Sequence, residues 1–310
     1  MTYINKKKIF YLLLLILVIC IFSMLYFGIK SIETYEQNYE KINTVCLVWS
    51  NKKNNKTNHG FGDKIRGLIY VHRYFKSKNN NINIIVDATN DICGDILKNV
   101  KSTFTNIIND VKINYITKEE DMQNVDVYNN DTIFIYSNNR ISDNTLSDEE
   151  KNIAKFISEP NDTIKMEIDT KILKLPKEFT VKHFRFNDSV FKNDVDINDP
   201  TFKTFFDYLK KDYLDTDILI TNSKNFTKYA IEKINIKYID CDNTICDVGH
   251  MGQSTDYNTV KNSYIEYNII SRSKKIMSYT CYPDVSNFVL WPSKIYDIPF
   301  ESIQLNTSQY

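Results

Sequence analysis

Residues able to do chemistry gather at four places in this chain, each where an apolar run gives way to a polar turn. The first is Gly60-Phe-Gly62-Asp63, continuing Lys-Ile-Arg-Gly67. Only 7 glycines occur in 310 residues, so three so close together mark a constraint. Between a strand and a helix, glycines permit a sharp turn and a close approach of backbone to ligand, and the helix N-terminus adds free N–H donors. A tight turn that holds no ligand would use the same residues. The spacing is not that of a dinucleotide fingerprint, and the Lys-Ser/Thr of a P-loop is absent.

The second place is His183-Phe-Arg-Phe-Asn-Asp188. Strand alternation puts His183 and Arg185 on one face and Phe184 and Phe186 on the other. A guanidinium beside an imidazole suits an anionic ligand, above all a diphosphate, which Arg meets with two parallel hydrogen bonds. A plain polar pair on the sheet is the alternative. The third is Thr221-Asn222-Ser223, closing the apolar run from Asp217. These small polar groups suit a base or ribose, or equally a helix N-cap. The fourth is Ser286-Asn-Phe288, where Ser286 and neighbouring N–H groups can hold phosphate oxygens at a helix start.

A reaction at a hydroxyl also needs a base, and Asp63, Asp188 and Asp194 are the candidates. Asp194-Val-Asp196 and Asp215-Thr-Asp217 fit a DxD metal pattern, but such pairs are common in an Asp-rich chain. His59, His72, His183 and His250 are too scattered for a zinc site, so no metal is assigned. His250, within Asp247-Val-Gly-His-Met-Gly252, belongs either to a cleft wall or to a plain loop.

Alternating strands and helices must position these groups. Strands are expected at 45–49, 82–87, 111–116 and 132–136, with helices at 64–78, 92–100 and 147–157. After Pro176 the pattern restarts: strands at 179–186, 217–221, 236–239 and 274–279, helices at 200–210, 224–233, 258–270 and 285–290. Such alternation predicts an α/β protein with two facing Rossmann-like domains, 45–176 on the acceptor side and 177–310 binding the nucleotide, with the ligand in the cleft at the carboxyl ends of the strands.

Composition narrows the class. With 39 basic and 39 acidic residues the net charge is zero, which argues against nucleic-acid binding through bulk electrostatics. A hydrophobic share of 42% and an aromatic share of 13% are enough for a real core. Ile9 to Ile29 is an uncharged apolar run about 31 Å long as a helix, the thickness of a bilayer's hydrocarbon. Lys6, Lys7 and Lys8 precede it, and Glu33, Glu36 and Glu40 follow. The expected layout is a cytoplasmic tail at 1–8, a signal anchor at 9–29 and a stem at 30–44, with the body in the ER or Golgi lumen or outside the cell. A cleaved signal peptide is the alternative. Cys241 and Cys246 are spaced to close a small loop disulfide in such a compartment. Sequons occur at Asn55, Asn130, Asn161, Asn187, Asn225 and Asn306, several of them expected by chance in a chain so rich in Asn.

A Gly-rich turn, then H-x-R-x-x-D, then a strand ending T-N-S, then S-x-F: this order resembles the fucosyltransferase superfamily, which includes core, protein O- and nodulation fucosyltransferases. The resemblance runs from about Cys46 to Pro299. It implies a GT-B fold, a metal-independent reaction without cofactor, GDP-fucose as the nucleotide-sugar donor, a glycan or glycoprotein acceptor, and often a type II Golgi anchor. It places His183 on the guanine and Arg185 on the diphosphate. Ser286 and Phe288 complete the nucleotide-sugar site, with Gly60 to Asp63 across the cleft. Core-type members carry a second Arg where this chain has Phe186, and many relatives have an acid at the position of Asn222. A second nucleotide sugar, or a non-catalytic glycan-binding descendant of the fold, stays open.

Overall fold

The computed structural model describes residues 17–24, 26, 43–49, 59–78, 82–89, 91–100, 112–125, 132–141, 145–249, 251, 254–282 and 284–305. Strands β1 (Asn43–Val48), β2 (Ile82–Asp87), β3 (Asn114–Ile116) and β4 (Thr132–Ser137) form a parallel sheet in the order β2-β1-β4-β3. A central parallel strand is buried on both faces, so its sequence is apolar throughout. In β1, Val45 and Leu47 face the main core, while Cys46 and Val48 meet Phe134 on the other side. The helices of this half are α1 (Phe61–Ser77), α2 (Cys93–Ile96), α3 (Glu119–Gln123), α4 (Asp148–Ile157) and α5 (Asp162–Ile172). In α1, Ile65, Leu68 and Ile69 are fully buried, and Tyr74 only partly. A reciprocal capping box between Ser147 and Glu150 starts α4.

The second sheet is also parallel, in the order β11-β10-β5-β6-β7, from β5 (Thr180–Arg185), β6 (Asp217–Thr221), β7 (Lys237–Tyr238), β10 (Lys275–Thr280) and β11 (Phe300–Gln304). Helices α6 (Pro200–Lys211), α7 (Lys224–Ile234), α8 (Tyr257–Ile270) and α9 (Asn287–Ile295) connect them. An antiparallel hairpin, β8 (Asp240–Cys241) with β9 (Thr244–Ile245), is closed by the Cys241–Cys246 disulfide. From β5 the chain moves to β6 and β7, then crosses back to β10 on the opposite side of β5. The order therefore reverses at β5, and such a switch point opens a crevice at the carboxyl ends of the strands.

Phe184, Phe186, Phe202, Phe205, Phe226 and Tyr279 form an aromatic core on one face of β5. A larger cluster runs through both halves, because α8 and α9 pack against the first half. The Phe61 ring on α1 meets Tyr264 and Tyr267 of α8 edge-on, with centroids 5.6 and 4.9 Å apart.

Some expectations need correction. Helices α3 and α5 and strand β11 add to the elements expected from sequence. The helix expected over 92–100 shrinks to Cys93–Ile96, after which Leu97 turns extended and bridges to Pro160. The last helix starts at Asn287, because residue 286 is its N-cap. Strand β1 begins at Asn43, inside the stretch read as stem. Of the apolar run at 9–29, the described residues 17–24 and 26 are helical and exposed, and the remainder lies outside the described residues, as do residues 1–8, the stem at 30–42 and His250. Among the described residues, no helix is long and apolar enough to cross a membrane. Two of the sequon asparagines spend their amide nitrogens internally: Asn161 Nδ2 donates to Asp95 O (2.7 Å) and Asn225 Nδ2 to Val195 O (3.0 Å). Asn55, Asn130 and Asn306 lie outside the described residues.

Candidate functional site

A cleft opens at the switch point of the second sheet, and Gly60 to Asp63 of the first half form its opposite wall. His183 and Arg185 enter it from β5, for the reason alternation predicts: Phe184 and Phe186 point the other way into the aromatic core. Phe186, the point of departure from the core-type pattern, is 2% exposed and fills that core.

The His183 ring is buried, and its Nδ1 lies 3.0 Å from Ser278 Oγ on β10. Burial, aided by the neighbouring Arg185 charge, pushes its pKa down to about 3, so the imidazole is neutral at physiological pH. The Arg185 side chain is 16% exposed and pairs with Asp188. Its guanidinium lies over the Phe191 ring (5.0 Å) and beside that of Tyr282 (6.0 Å). Tyr282 OH in turn accepts from Asp188 N at 2.7 Å, which holds the segment after β5 in place. Burial lowers the Arg185 pKa, and Asp188 acts against that. A guanidinium so framed remains charged, with N–H groups to spare for a ligand.

Opposite Arg185, α9 begins at the cleft. Ser286 occupies its N-cap position but makes no side-chain capping bond, and the first N–H groups of a helix have no intrahelical partner. Ser286, Asn287 and Phe288 all line the cleft, and Phe288 tilts against His183 with centroids 6.2 Å apart.

Other expected residues do different work. Ser223 is 1% exposed and caps α7, accepting from Phe226 N (3.0 Å) and donating to Asp194 Oδ1 (2.6 Å), so it stands behind the cleft wall. Asn222 lines the cleft, but its amide clamps the chain leaving β5: Oδ1 accepts from Phe186 N (2.9 Å) and Nδ2 donates to Phe186 O (3.1 Å). Asp194 is also occupied, accepting from Ser223 Oγ and from Asn225 N (2.7 Å), which removes it as a base. Asp196 accepts from Asn198 N, and Asp217 sits buried at the amino end of β6, 3.7 Å from Lys182. Neither DxD pair faces the cleft. Asp188 is held by Arg185, whereas Asp63 lines the cleft itself, paired with Arg66 at 3.0 Å.

The glycines also act differently from expectation. Gly60 has φ −60° and ψ 161°, and no described glycine has positive φ, so the turn needs no special backbone. Their demand is for space. A Cβ on Gly62 would lie 2.6 Å from Asn287 O, and one on Gly67 would lie 1.8 Å from Ser137 O. Both glycines let α1 press directly on backbone.

Sequence reasoning missed Glu266. It lines the cleft from α8 at 9% exposure, has no hydrogen-bond or ion-pair partner among the described residues, and is driven by burial alone to a pKa of about 8. The available signal was an acid isolated in the otherwise uncharged stretch Ser263-Tyr-Ile-Glu-Tyr-Asn-Ile-Ile270.

The α-1,6-fucosyltransferase NodZ soaked with GDP-fucose has a similar structure, with a TM-score of 0.52 at 12% identity over 86% of this chain and 96% of that one. NodZ co-crystallised with GDP matches at a TM-score of 0.50, 11% identity, over 86% and 95% of the two chains. Fucosyltransferase NodZ from Bradyrhizobium matches at a TM-score of 0.50, 11% identity, over 86% and 96%. No protein-family model and no curated protein sequence matches the chain. The fold is fucosyltransferase-like.

Proposed function

We propose that this chain is a glycosyltransferase that moves fucose from GDP-fucose to a hydroxyl of a glycan or glycoprotein, in a metal-independent reaction. One observation carries the reading: Arg185 and the first turn of α9 converge on a single cleft whose far wall, Gly60 to Asp63, belongs to the other half of the chain. A diphosphate fits between a guanidinium and a helix N-terminus because both present N–H donors and positive charge. Glu266 deepens the donor assignment. As a carboxylate it accepts two parallel hydrogen bonds, and guanine offers two adjacent donors, N1–H and the N2 amino group, where uracil offers one. Neutral His183 and the Phe288 ring give the base an apolar flank.

In the reaction, the bond between the sugar's anomeric carbon and the β-phosphate oxygen breaks as the acceptor oxygen bonds to that carbon. Negative charge gathers on the departing diphosphate, where Arg185 and the α9 N–H groups meet it. The acceptor hydroxyl's proton passes to a carboxylate on the opposite wall, and Asp63 is the one placed there. The apolar run at 9–29 supports a type II anchor holding this body on the lumenal or outer face of a membrane.

The test is calorimetric titration of the body with GDP, UDP and CMP, followed by GDP release from GDP-fucose in the presence of mixed glycan acceptors. Selective GDP binding with acceptor-dependent release is expected. Binding of UDP alone would defeat the fucosyl reading, and GDP binding without any release would favour the non-catalytic descendant.

A further inference from the structure

Asp63 and the start of α9 come from opposite halves of the chain, yet one side chain joins them. Asn287 Nδ2 donates to Asp63 Oδ1 at 2.9 Å, across 224 positions of sequence. Arg66 Nη2 reaches the same oxygen at 3.0 Å. Among the described residues, Asp63 Oδ2 has no hydrogen-bond partner, and the residue lines the cleft. One hydrogen bond, from Asn287, and one ion pair, with Arg66, hold Oδ1 and leave the other oxygen to receive a proton.

Asn287 cannot drift from this position. Its backbone carbonyl lies where a Cβ on Gly62 would be, 2.6 Å from that ideal point, so α1 and α9 touch backbone to backbone. It is also the first residue of α9, and its own N–H belongs to the donor end that faces the cleft. The residue that offers its backbone to the phosphates thus offers its amide to the acceptor-side carboxylate.

We propose that Asn287 is a positioning residue that sets Asp63 for the acceptor hydroxyl and ties its geometry to the donor-binding helix. This rests on the transferase reading. Only a neutral donor serves: a carboxylate at 287 would face Asp63 as a like charge, and an alkyl group would leave Oδ1 with Arg66 alone. Misplacing a reacting group by about 1 Å costs up to about a hundredfold in rate, while the phosphates still meet the backbone N–H groups and Arg185.

Three variants of the full chain test this: Asn287→Ala, Asn287→Asp, and the exchange Asp63→Asn with Asn287→Asp. GDP affinity, kcat and Tm are read for each. Asn287→Ala is expected to lower kcat about tenfold or more and to leave the GDP Kd within about threefold. Asn287→Asp should lower kcat further and lower Tm. The exchange variant restores an amide–carboxylate pair and should recover Tm, but not kcat, because the carboxylate now sits on the wrong wall. Wild-type kcat in Asn287→Ala, a loss of GDP affinity matching the loss of kcat, or recovery of kcat in the exchange variant each overturns the proposal. A wild type that binds GDP but transfers nothing overturns it together with the transferase reading. An active wild type with an unaffected Asn287→Ala overturns this proposal alone.

Discussion

Replacing Arg185 by Ala tests the donor site most directly. The guanidinium is 16% exposed, framed by Phe191 and Tyr282, and among the described residues its one charged partner is Asp188. Truncating one member of a desolvated charge pair costs about 2–5 kcal/mol, which is roughly thirtyfold to several thousandfold in Kd. The lower half of that range applies, because α9 still supplies N–H groups and the cleft is open to water. Fold stability should respond little. Asp188 is 49% exposed, so water takes over its charge, and removing a half-desolvated cation offsets part of what is lost. The expectation is a GDP Kd raised about 30- to 300-fold by calorimetry, with Tm within a few degrees of wild type. Arg185→Lys keeps the charge but loses the two-pronged grip and the ring contact, so it should fall between. GMP, which lacks the β-phosphate, should lose less than GDP. A folded Arg185→Ala protein that binds GDP within threefold of wild type would refute the site.

Burial of Glu266 predicts a pH signature: with its pKa raised from 4.5 to about 8, the folded chain keeps a proton that the unfolded chain releases, so stability declines as pH rises between those values. Glu266→Gln should therefore raise Tm at pH 8.5 and not at pH 4, and should abolish the rise in GDP affinity expected of the wild type as pH climbs toward 8; an equal Tm shift at both pH values would count against it. His183 works in the opposite sense. Depressed from 6.5 to about 3, it resists a proton that the unfolded chain accepts, so stability falls as pH drops below 6.5, and His183→Asn should flatten that fall in a Tm series from pH 7 to 4.5. Gly67→Ala drives a methyl to 1.8 Å from Ser137 O and should cost about 3 kcal/mol in chemical denaturation, since neither helix nor strand backbone can yield cheaply.

The strands were legible because their signal is local. Ile82–Asp87 and Asp217–Thr221 fall where apolar runs place them, and the alternation in β5 sorted His183 and Arg185 from Phe184 and Phe186 through the two-residue period of an extended chain. The N-cap at Ser223 was legible for the same reason, as one of the two roles its residue type allows there. Helix α5 was harder: only Ile164 and Ile168 are buried, while Met166 on its outer face is exposed, so its pattern is thin.

Which polar groups remain available to a ligand is a different kind of fact. Ser223, Asn222 and Asp194 are as suitable in type as any residue in the cleft, yet each is consumed by partners between 3 and 36 positions away. Among the described residues Glu266 is left without one, and Asp63 finds its amide donor 224 positions along the chain. Backbone periodicity is a property of neighbouring residues and survives in one dimension. Competition for hydrogen bonds, and the loss of water that shifts Glu266 and His183 in opposite directions, exist only once distant segments are packed together.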